Sequence, residues 1–139
     1  MTILLRTIIP LTLMLLASQL AYAQADPSPE TIAERRELLI DNMEQIRIRL
    51  RLSDEQDEQM RVILKGNVEK TRAVMQEHDI VPGAELSFSQ KTSLARDLRP
   101  IKKESEKKLK AILSSDQMKE FKKIRKEALD EIKARRKAE

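Results

Sequence analysis

The stretch Leu52-Ser53-Asp54-Glu55-Gln56 decides the fold, together with its second copy, Leu113-Ser114-Ser115-Asp116-Gln117. Both copies read Leu-Ser-x-x-Gln, and both lie between segments that carry apolar residues at helical spacing. In a capping box, a serine hydroxyl accepts the N–H of the third helical residue, and a Gln at that position reaches back to the serine N–H. The leucine before the serine can pack onto the new helix as a hydrophobic staple. We therefore predict that each copy ends one helix and begins the next.

The periodicity of apolar residues predicts four helices and no sheet. They cover residues 29–50, residues 54–78, roughly residues 89–113, and the segment after the second motif. Pro100 lies inside the third helix and is expected to kink it or split it near Arg99. The period-two pattern of residues 46–52 suits a strand, but no second alternating segment exists to pair with it. The predicted class is all-α.

Each predicted helix has one apolar face that we expect to be buried. Gly66 lies inside the second helix, where glycine costs about 1 kcal/mol relative to alanine. A type II turn is predicted around Pro82-Gly83, between the second and third helices. The residues expected on the four buried faces are Ile32, Leu39, Met43, Ile46 and Leu50; Met60, Ile63, Leu64, Thr71, Val74 and Met75; Leu94, Leu98, Ile101, Ser105, Leu109 and Ile112; and Phe121, Ile124, Ala128 and Ile132.

Residues 1–23 are predicted to be a signal peptide. Arg6 is followed by a short apolar run and then by Ala21-Tyr22-Ala23, whose small residues suit a cleavage site. We expect cleavage after Ala23, with Ala25 as the alternative. The run is shorter than the ~20 apolar residues that span a bilayer, so no stable membrane insertion is expected after cleavage. Residues 24–139 are predicted to form a single helical domain.

The composition of the mature chain predicts a thin core. Charged residues make up 36% of the whole chain, which has two Phe, no Trp and no Cys. Small exported domains often compensate for a thin core with disulfides, which a chain without Cys cannot form. Oligomerisation is the other common solution, because it buries apolar surface that a monomer would expose. We therefore expect a homodimer.

Charge is divided unevenly along the chain. Residues 24–80 carry 9 Lys and Arg against 13 Asp and Glu, whereas residues 81–139 carry 17 against 10. A basic half favours nucleic acid in a cytoplasmic protein, but export removes that partner. Anionic lipid, an acidic sensor domain and unfolded acidic proteins remain as partners, beside the alternative that the basic face only favours solubility.

The sequence gives no support for an enzyme. His78 is the single histidine, there is no Cys, and neither a Gly-rich phosphate loop nor a nucleophile elbow occurs. No cofactor is expected. A transition-metal site generally requires several His, Cys or Met ligands, so we expect no metal site either.

Two strips of mixed basic and apolar residues at helical spacing are candidate sites for binding unfolded proteins. Positive charge would attract acidic segments over a distance, and apolar side chains with long Arg stems would then hold them loosely. The alternative is that these are ordinary positions at the edge of a buried face. The first strip consists of Arg36, Ile40, Arg47 and Arg51, and the second strip consists of Met118, Lys122, Arg125, Leu129 and Arg136.

The signal peptide, the all-helical pattern and the two motifs resemble the Spy/CpxP family of periplasmic proteins, also known as the LTxxQ-motif family. The likeness is closest over residues 52–67 and 112–124. Ser53 and Ser114 stand where Thr is commoner in that family, and serine keeps the capping hydroxyl. The residues that transfer are structural ones at helix junctions: Leu52, Ser53, Gln56, Leu113, Ser114 and Gln117.

The resemblance implies a bent hairpin of four helices that forms an antiparallel, cradle-shaped dimer in the periplasm. Some members of the family are ATP-independent chaperones for unfolded or misfolded envelope proteins. Others act in the envelope stress response by docking on the periplasmic domain of a sensor kinase. Metal-binding members have His-rich positions with no counterpart in this chain. The expected function is that of a holding chaperone, with the kinase regulator as the alternative.

Overall fold

The computed structural model describes residues 29–81 and 85–138. The described residues form five helices and contain no strand, which confirms the all-α class. None of these helices is long and apolar enough to cross a membrane. The predicted signal peptide and the predicted turn at Pro82-Gly83 lie outside the described residues. The helices are α1 (Pro29–Asp41), α2 (Met43–Leu50), α3 (Asp54–Glu77), α4 (Phe88–Ile112) and α5 (Ser115–Ala138).

The prediction of one continuous helix over residues 29–50 was wrong, because Asn42 separates α1 from α2. Asn42 has φ −101° and ψ 19°, outside the helical region, and its side-chain amide donates to the Leu38 carbonyl at 2.8 Å. Asparagine favours such positions because its amide competes with the backbone for hydrogen bonds. The main chain still spans the break, since the N–H of Ile46 donates to the Asn42 carbonyl at 3.0 Å.

Pro100 does not split its helix, because α4 continues from Phe88 to Ile112. Proline has no N–H, so the carbonyl four residues earlier, at Arg96, loses its helical donor. Both Pro100 and Arg96 are exposed. Water can therefore replace the missing donor, and the helix survives.

Neighbouring helices run antiparallel. Between α3 and α4, His78 contacts Asp97 near the connection and Lys70 contacts Glu104 further along, at 2.8 and 2.7 Å. The same reversal of residue order relates α1 and α2 to α3 and to α5. The consequence is a bundle in which α3 and α5 each lie against both α1 and α4. Ion pairs that join these helices are Glu37–Arg72, Glu44–Arg61, Glu34–Arg136, Arg49–Glu120, Arg49–Glu127 and Glu106–Arg125.

Two separate apolar clusters form the core. The larger cluster joins α1, α2 and α5 to the first half of α3 and the last turns of α4, and the smaller one lies between the far ends of α3 and α4. The predicted face residues are buried or half-buried, most of them in these clusters, whereas Val68 and Asp57 are buried without having been predicted. The larger cluster contains Leu39, Met43, Ile46, Leu50, Leu52, Met60, Leu64, Leu109, Leu113, Met118, Phe121, Ile124 and Ala128. The smaller contains Ile80, Leu86, Leu94, Leu98 and Ile101.

A buried polar layer separates the two clusters along both α3 and α4. The amide of Asn67 donates to the Ser105 hydroxyl at 2.6 Å, and the Thr71 hydroxyl donates to the Asn67 carbonyl at 2.6 Å. Arg36 of α1 donates to Thr71, which is only 2% exposed. Since buried polar groups must find partners, the layer fixes the register of α1, α3 and α4.

Replacement of Gly66 by alanine should stabilise the protein by about 1 kcal/mol, the difference in helix propensity between the two residues. A Cβ atom built on Gly66 meets no atom within 4 Å, so no packing cost opposes the gain. Thermal unfolding followed by circular dichroism should show a rise of about 4 °C. Ala73→Gly, at an exposed position of the same helix, is the matched control and should lower the melting temperature. A lower melting temperature for Gly66→Ala would show that the glycine has a packing role.

Candidate functional site

Both Leu-Ser-x-x-Gln motifs form capping boxes. In the first, the N–H of Gln56 donates to the Ser53 hydroxyl and the N–H of Ser53 donates to the Gln56 amide oxygen, both at 3.1 Å. In the second, the corresponding distances between Gln117 and Ser114 are 3.2 and 2.9 Å. In each motif, the serine and the glutamine together satisfy two N–H groups that would otherwise lack acceptors at a helix start.

The two motifs also contact each other through their glutamines. The Nε2 of Gln56 lies 2.9 Å from the Oε1 of Gln117, and the Nε2 of Gln117 lies 3.2 Å from the Oε1 of Gln56. Each Nε2 also donates to the last carbonyl of the helix that precedes the other motif. Gln56 donates to Ile112 at 2.8 Å, and Gln117 donates to Leu50 at 3.2 Å. The glutamines are therefore a reciprocal pair that joins four helix ends.

The chemistry of this junction requires an amide. Each side chain accepts through its oxygen at its own helix start and donates through its nitrogen at the end of another helix. A carboxylate of the same length could accept but could not donate. The carbonyl ends of α2 and α4 carry partial negative charge and the starts of α3 and α5 carry partial positive charge, so their proximity is favourable.

The leucines of the two motifs are both buried in the larger cluster. Leu113 shares a surface depression with Met118, which occupies the fourth helical position, as a hydrophobic staple requires. Asp57 occupies the same position after the first motif, and there Leu52 packs into the core instead of onto an apolar staple partner.

A third copy of the motif, Leu86-Ser87-Phe88-Ser89-Gln90, was not predicted from the sequence. Ser87 and Gln90 form a capping box with distances of 3.2 and 2.9 Å, so α4 begins at Phe88. Among the described residues, the side-chain hydrogen bonds of Gln90 are limited to Ser87, and Gln90 is exposed. The pattern alone therefore makes a capping box, whereas the glutamine pair requires two copies to meet in space. The signal was present in the sequence as the same five-residue pattern.

The members of the first strip do not share one open surface. Arg36 is half-buried and faces Thr71, and Ile40 packs half-buried against the larger cluster. Arg47 forms an ion pair with Asp54 at 2.7 Å. Arg51 is exposed at the end of α2, where its φ of 51° gives the helix a left-handed C-terminal residue.

The members of the second strip do not share one open surface either. Met118 is buried in the larger cluster, Leu129 is half-buried, and Lys122 is exposed. Arg125 is mostly buried and lies 3.7 Å from Glu106. Arg136 pairs with Glu34 at 2.6 Å and donates to the Thr31 hydroxyl at 2.7 Å. The role of both strips in binding unfolded proteins stays a prediction.

A depression beside the second motif combines exposed lysines with apolar side chains. Its walls include Lys110 at the end of α4 and Lys119 and Lys122 on α5, and Leu113 and Met118 line it as well. The depression has a volume of about 400 Å³ and no acidic residue in its lining. Lys110 and Lys119 were not predicted as binding residues, although both belong to the basic half of the sequence.

Ion pairing perturbs several carboxylates. Hydrogen bonds from Lys108 and Lys70 lower the pKa of Glu104 to about 2. The His78 hydrogen bond, followed by that of Arg96, lowers the pKa of Asp97. Because these pKa values are lowered in the folded state, the stabilisation that they bring is complete above pH 5 and is lost as the pH falls toward the folded values.

No group of three or more His, Cys, Asp or Glu side chains in the described part of the chain is arranged to hold a metal ion.

Comparison of the chain with models of protein families, with curated proteins and with solved structures finds no match.

A double-mutant cycle should reveal coupling between Gln56 and Gln117. Each change to alanine should lower the free energy of unfolding by about 2 kcal/mol, because half-buried amide and carbonyl groups lose partners. The double variant should lose less than the sum of the two, with a coupling energy of at least about 0.5 kcal/mol. Urea unfolding at neutral pH measures all four variants.

Gln90 provides the matched control for this cycle, since its capping box has no cross-bundle partner among residues 29–81 and 85–138. Gln90→Ala should cost about 1 kcal/mol or less, and its effect should add to that of Gln56→Ala. If the coupling energy between Gln56 and Gln90 equals that between Gln56 and Gln117, the hydrogen bonds between Gln56 and Gln117 do not join the helices.

Proposed function

We propose that the protein is a periplasmic, ATP-independent chaperone that holds unfolded or misfolded envelope proteins. The observation that carries the proposal is the lysine-lined depression beside the second motif. Lys110, Lys119 and Lys122 surround apolar side chains there, and none of the three lysines has an ion-pair partner among the described residues.

The chemistry of this depression suits loose retention of an unfolded chain. Unpaired lysines attract acidic segments over a distance set by the ionic strength, about 8 Å at physiological salt. Leu113 and Met118 are largely buried, and the small part of each side chain that lines the depression then offers apolar contact. No directional site of the kind that an enzyme needs is required for such binding.

The resemblance to the Spy/CpxP family supports the same proposal. The predicted signal peptide at residues 1–23 is consistent with the periplasm, and the motifs at residues 52–56 and 113–117 are those that the family carries. We further propose the dimer that the family implies, with bent helical hairpins arranged as an antiparallel cradle. The thin core and the absence of Cys favour a dimer on physical grounds.

A second candidate function is regulation of a sensor kinase. Lysines without ion-pair partners would also fit an acidic periplasmic sensor domain, and that contact would require one defined partner. The two functions differ in selectivity, because a holding chaperone binds many unfolded chains and a regulator binds one folded domain.

Aggregation of a chemically unfolded acidic client, followed by light scattering without ATP, tests the chaperone proposal. The protein should suppress aggregation at low ionic strength. The triple variant Lys110→Gln, Lys119→Gln and Lys122→Gln should capture the client at least about tenfold more slowly in stopped-flow measurements, because electrostatic steering is lost. Added salt should lower the rate at which the parent protein captures the client, and it should lower the rate of the triple variant less.

The matched control removes the same charge elsewhere. Lys65, Lys91 and Lys133 are exposed, lie on α3, α4 and α5, and have no ion-pair partner among the described residues. Replacement of these three lysines by Gln should reduce the capture rate less than the triple variant at the depression does. Failure of the parent to suppress aggregation would refute the chaperone proposal and favour the kinase regulator.

Sedimentation velocity at micromolar concentration tests the dimer. The mature protein should sediment as a species of twice the monomer mass while retaining full helicity. A fully helical monomer under the same conditions would show that the two apolar clusters are sufficient without a second subunit.

A further inference from the structure

A second basic cluster lies inside the bundle, away from the lysine-lined depression. Arg35 and Arg36 of α1, Lys102 of α4 and Arg125 of α5 line one pocket together. Glu106 is the only carboxylate in the lining. The chain therefore brings four cations from three helices to a site that supplies one anion of its own.

Arg35 is the least satisfied member of this cluster. Its Nε is shielded from solvent and has no hydrogen-bond partner, and Arg35 forms no ion pair with any described residue. Arg36 donates to a neutral hydroxyl, that of Thr71. Arg125 has Glu106 at 3.7 Å, which is a long separation for an ion pair. Most of the guanidinium donors in the pocket thus lack an anionic acceptor.

The lack of anionic acceptors is energetically unfavourable because the arginines are partly buried. Burial, followed by the positive charge of Arg125, lowers the pKa of Arg35 and of Arg36 to about 10. Both groups still carry full charge at neutral pH, so the repulsion is present under ordinary conditions. Leu64, Leu109 and Phe121 line the apolar side of the pocket, where electrostatic interactions are stronger than in water.

The size of the pocket limits what can enter it. The cavity of about 30 Å³ has room for roughly two water-sized groups. That space suits two oxygens of one carboxylate or phosphate group and excludes a peptide backbone or a nucleoside. Guanidinium groups bind both kinds of oxyanion through paired N–H donors.

We propose that this pocket is a binding site for a small oxyanion, a phosphate group or a carboxylate, held by Arg35, Arg36 and Arg125. Lys102 lies at the exposed edge and attracts the anion, and the hydroxyl of Ser105, which accepts from Asn67, can donate its own hydrogen to it. Because the anion would bind the folded protein and complete its polar layer, it would stabilise the fold. This site does not depend on the proposed chaperone function.

Calorimetry and thermal unfolding of the purified protein test the site, with inorganic phosphate and acetate as separate probes and sodium chloride at matched ionic strength as the reference. Phosphate or acetate should raise the melting temperature above that in chloride. Arg35→Gln and Arg125→Gln should each weaken the Kd at least tenfold and abolish the shift. Binding of phosphate alone would identify a phosphate site, and binding of acetate alone a carboxylate site.

Arg99→Gln is the matched control, since Arg99 is exposed on α4 and does not line the pocket. It should bind the anion as the parent does. Without anion, Arg35→Gln should melt at or above the temperature of the parent, because it removes a repelling charge. If Arg35→Gln does not fold, Lys102→Gln at the exposed edge should still weaken binding.

Two results would overturn the proposal. Binding of neither probe at millimolar concentration would show that the cluster is not an anion site. Equal shifts in the parent, the pocket variants and Arg99→Gln would indicate an adventitious ion only, bound elsewhere on the basic surface.

Discussion

The arrangement of the bundle depends on the reciprocal hydrogen bonds between Gln56 and Gln117. A capping box uses only the oxygen of a glutamine amide, so the two N–H donors of each side chain remain available. Here those donors reach the other glutamine and the carbonyls of Leu50 and Ile112. The ends of α2 and α4 are therefore held against the starts of α3 and α5. Because the helices diverge from this one junction, their antiparallel order follows from it.

Periodicity predicted the buried faces well because burial depends on which side of a helix is apolar. Leu94, Leu98 and Phe121 are buried as their spacing indicates. Features that depend on one residue or on distant contacts were harder to predict. The apolar stripe of the first helix continues through Asn42 and hides the break there, and the pairing of Gln56 with Gln117 joins residues 61 positions apart.

The candidate binding strips show the limit of the same reasoning. A sequence places Arg36 and Arg125 on the flank of a helix, but it does not tell which neighbouring helix covers that flank. In the bundle, Thr71 of α3 faces Arg36 and Glu106 of α4 faces Arg125. The lysines with no ion-pair partner among the described residues, at positions 110, 119 and 122, come from the end of α4 and the start of α5, on either side of the second motif. Composition predicted a basic surface, and the fold determined where it lies.

The polar layer and the arginine pocket raise the question of why buried charge is present at all. Asn67, Thr71 and Ser105 satisfy one another as neutral groups, and that is sufficient to fix the register of α3 and α4. The arginines add desolvation and mutual repulsion to this layer, and one carboxylate cannot offset three guanidiniums. A layer that served only the register of α3 and α4 would not need them. The excess charge is better explained by a bound anion that compensates it, in which case the register between the two apolar clusters becomes sensitive to the anions around the protein.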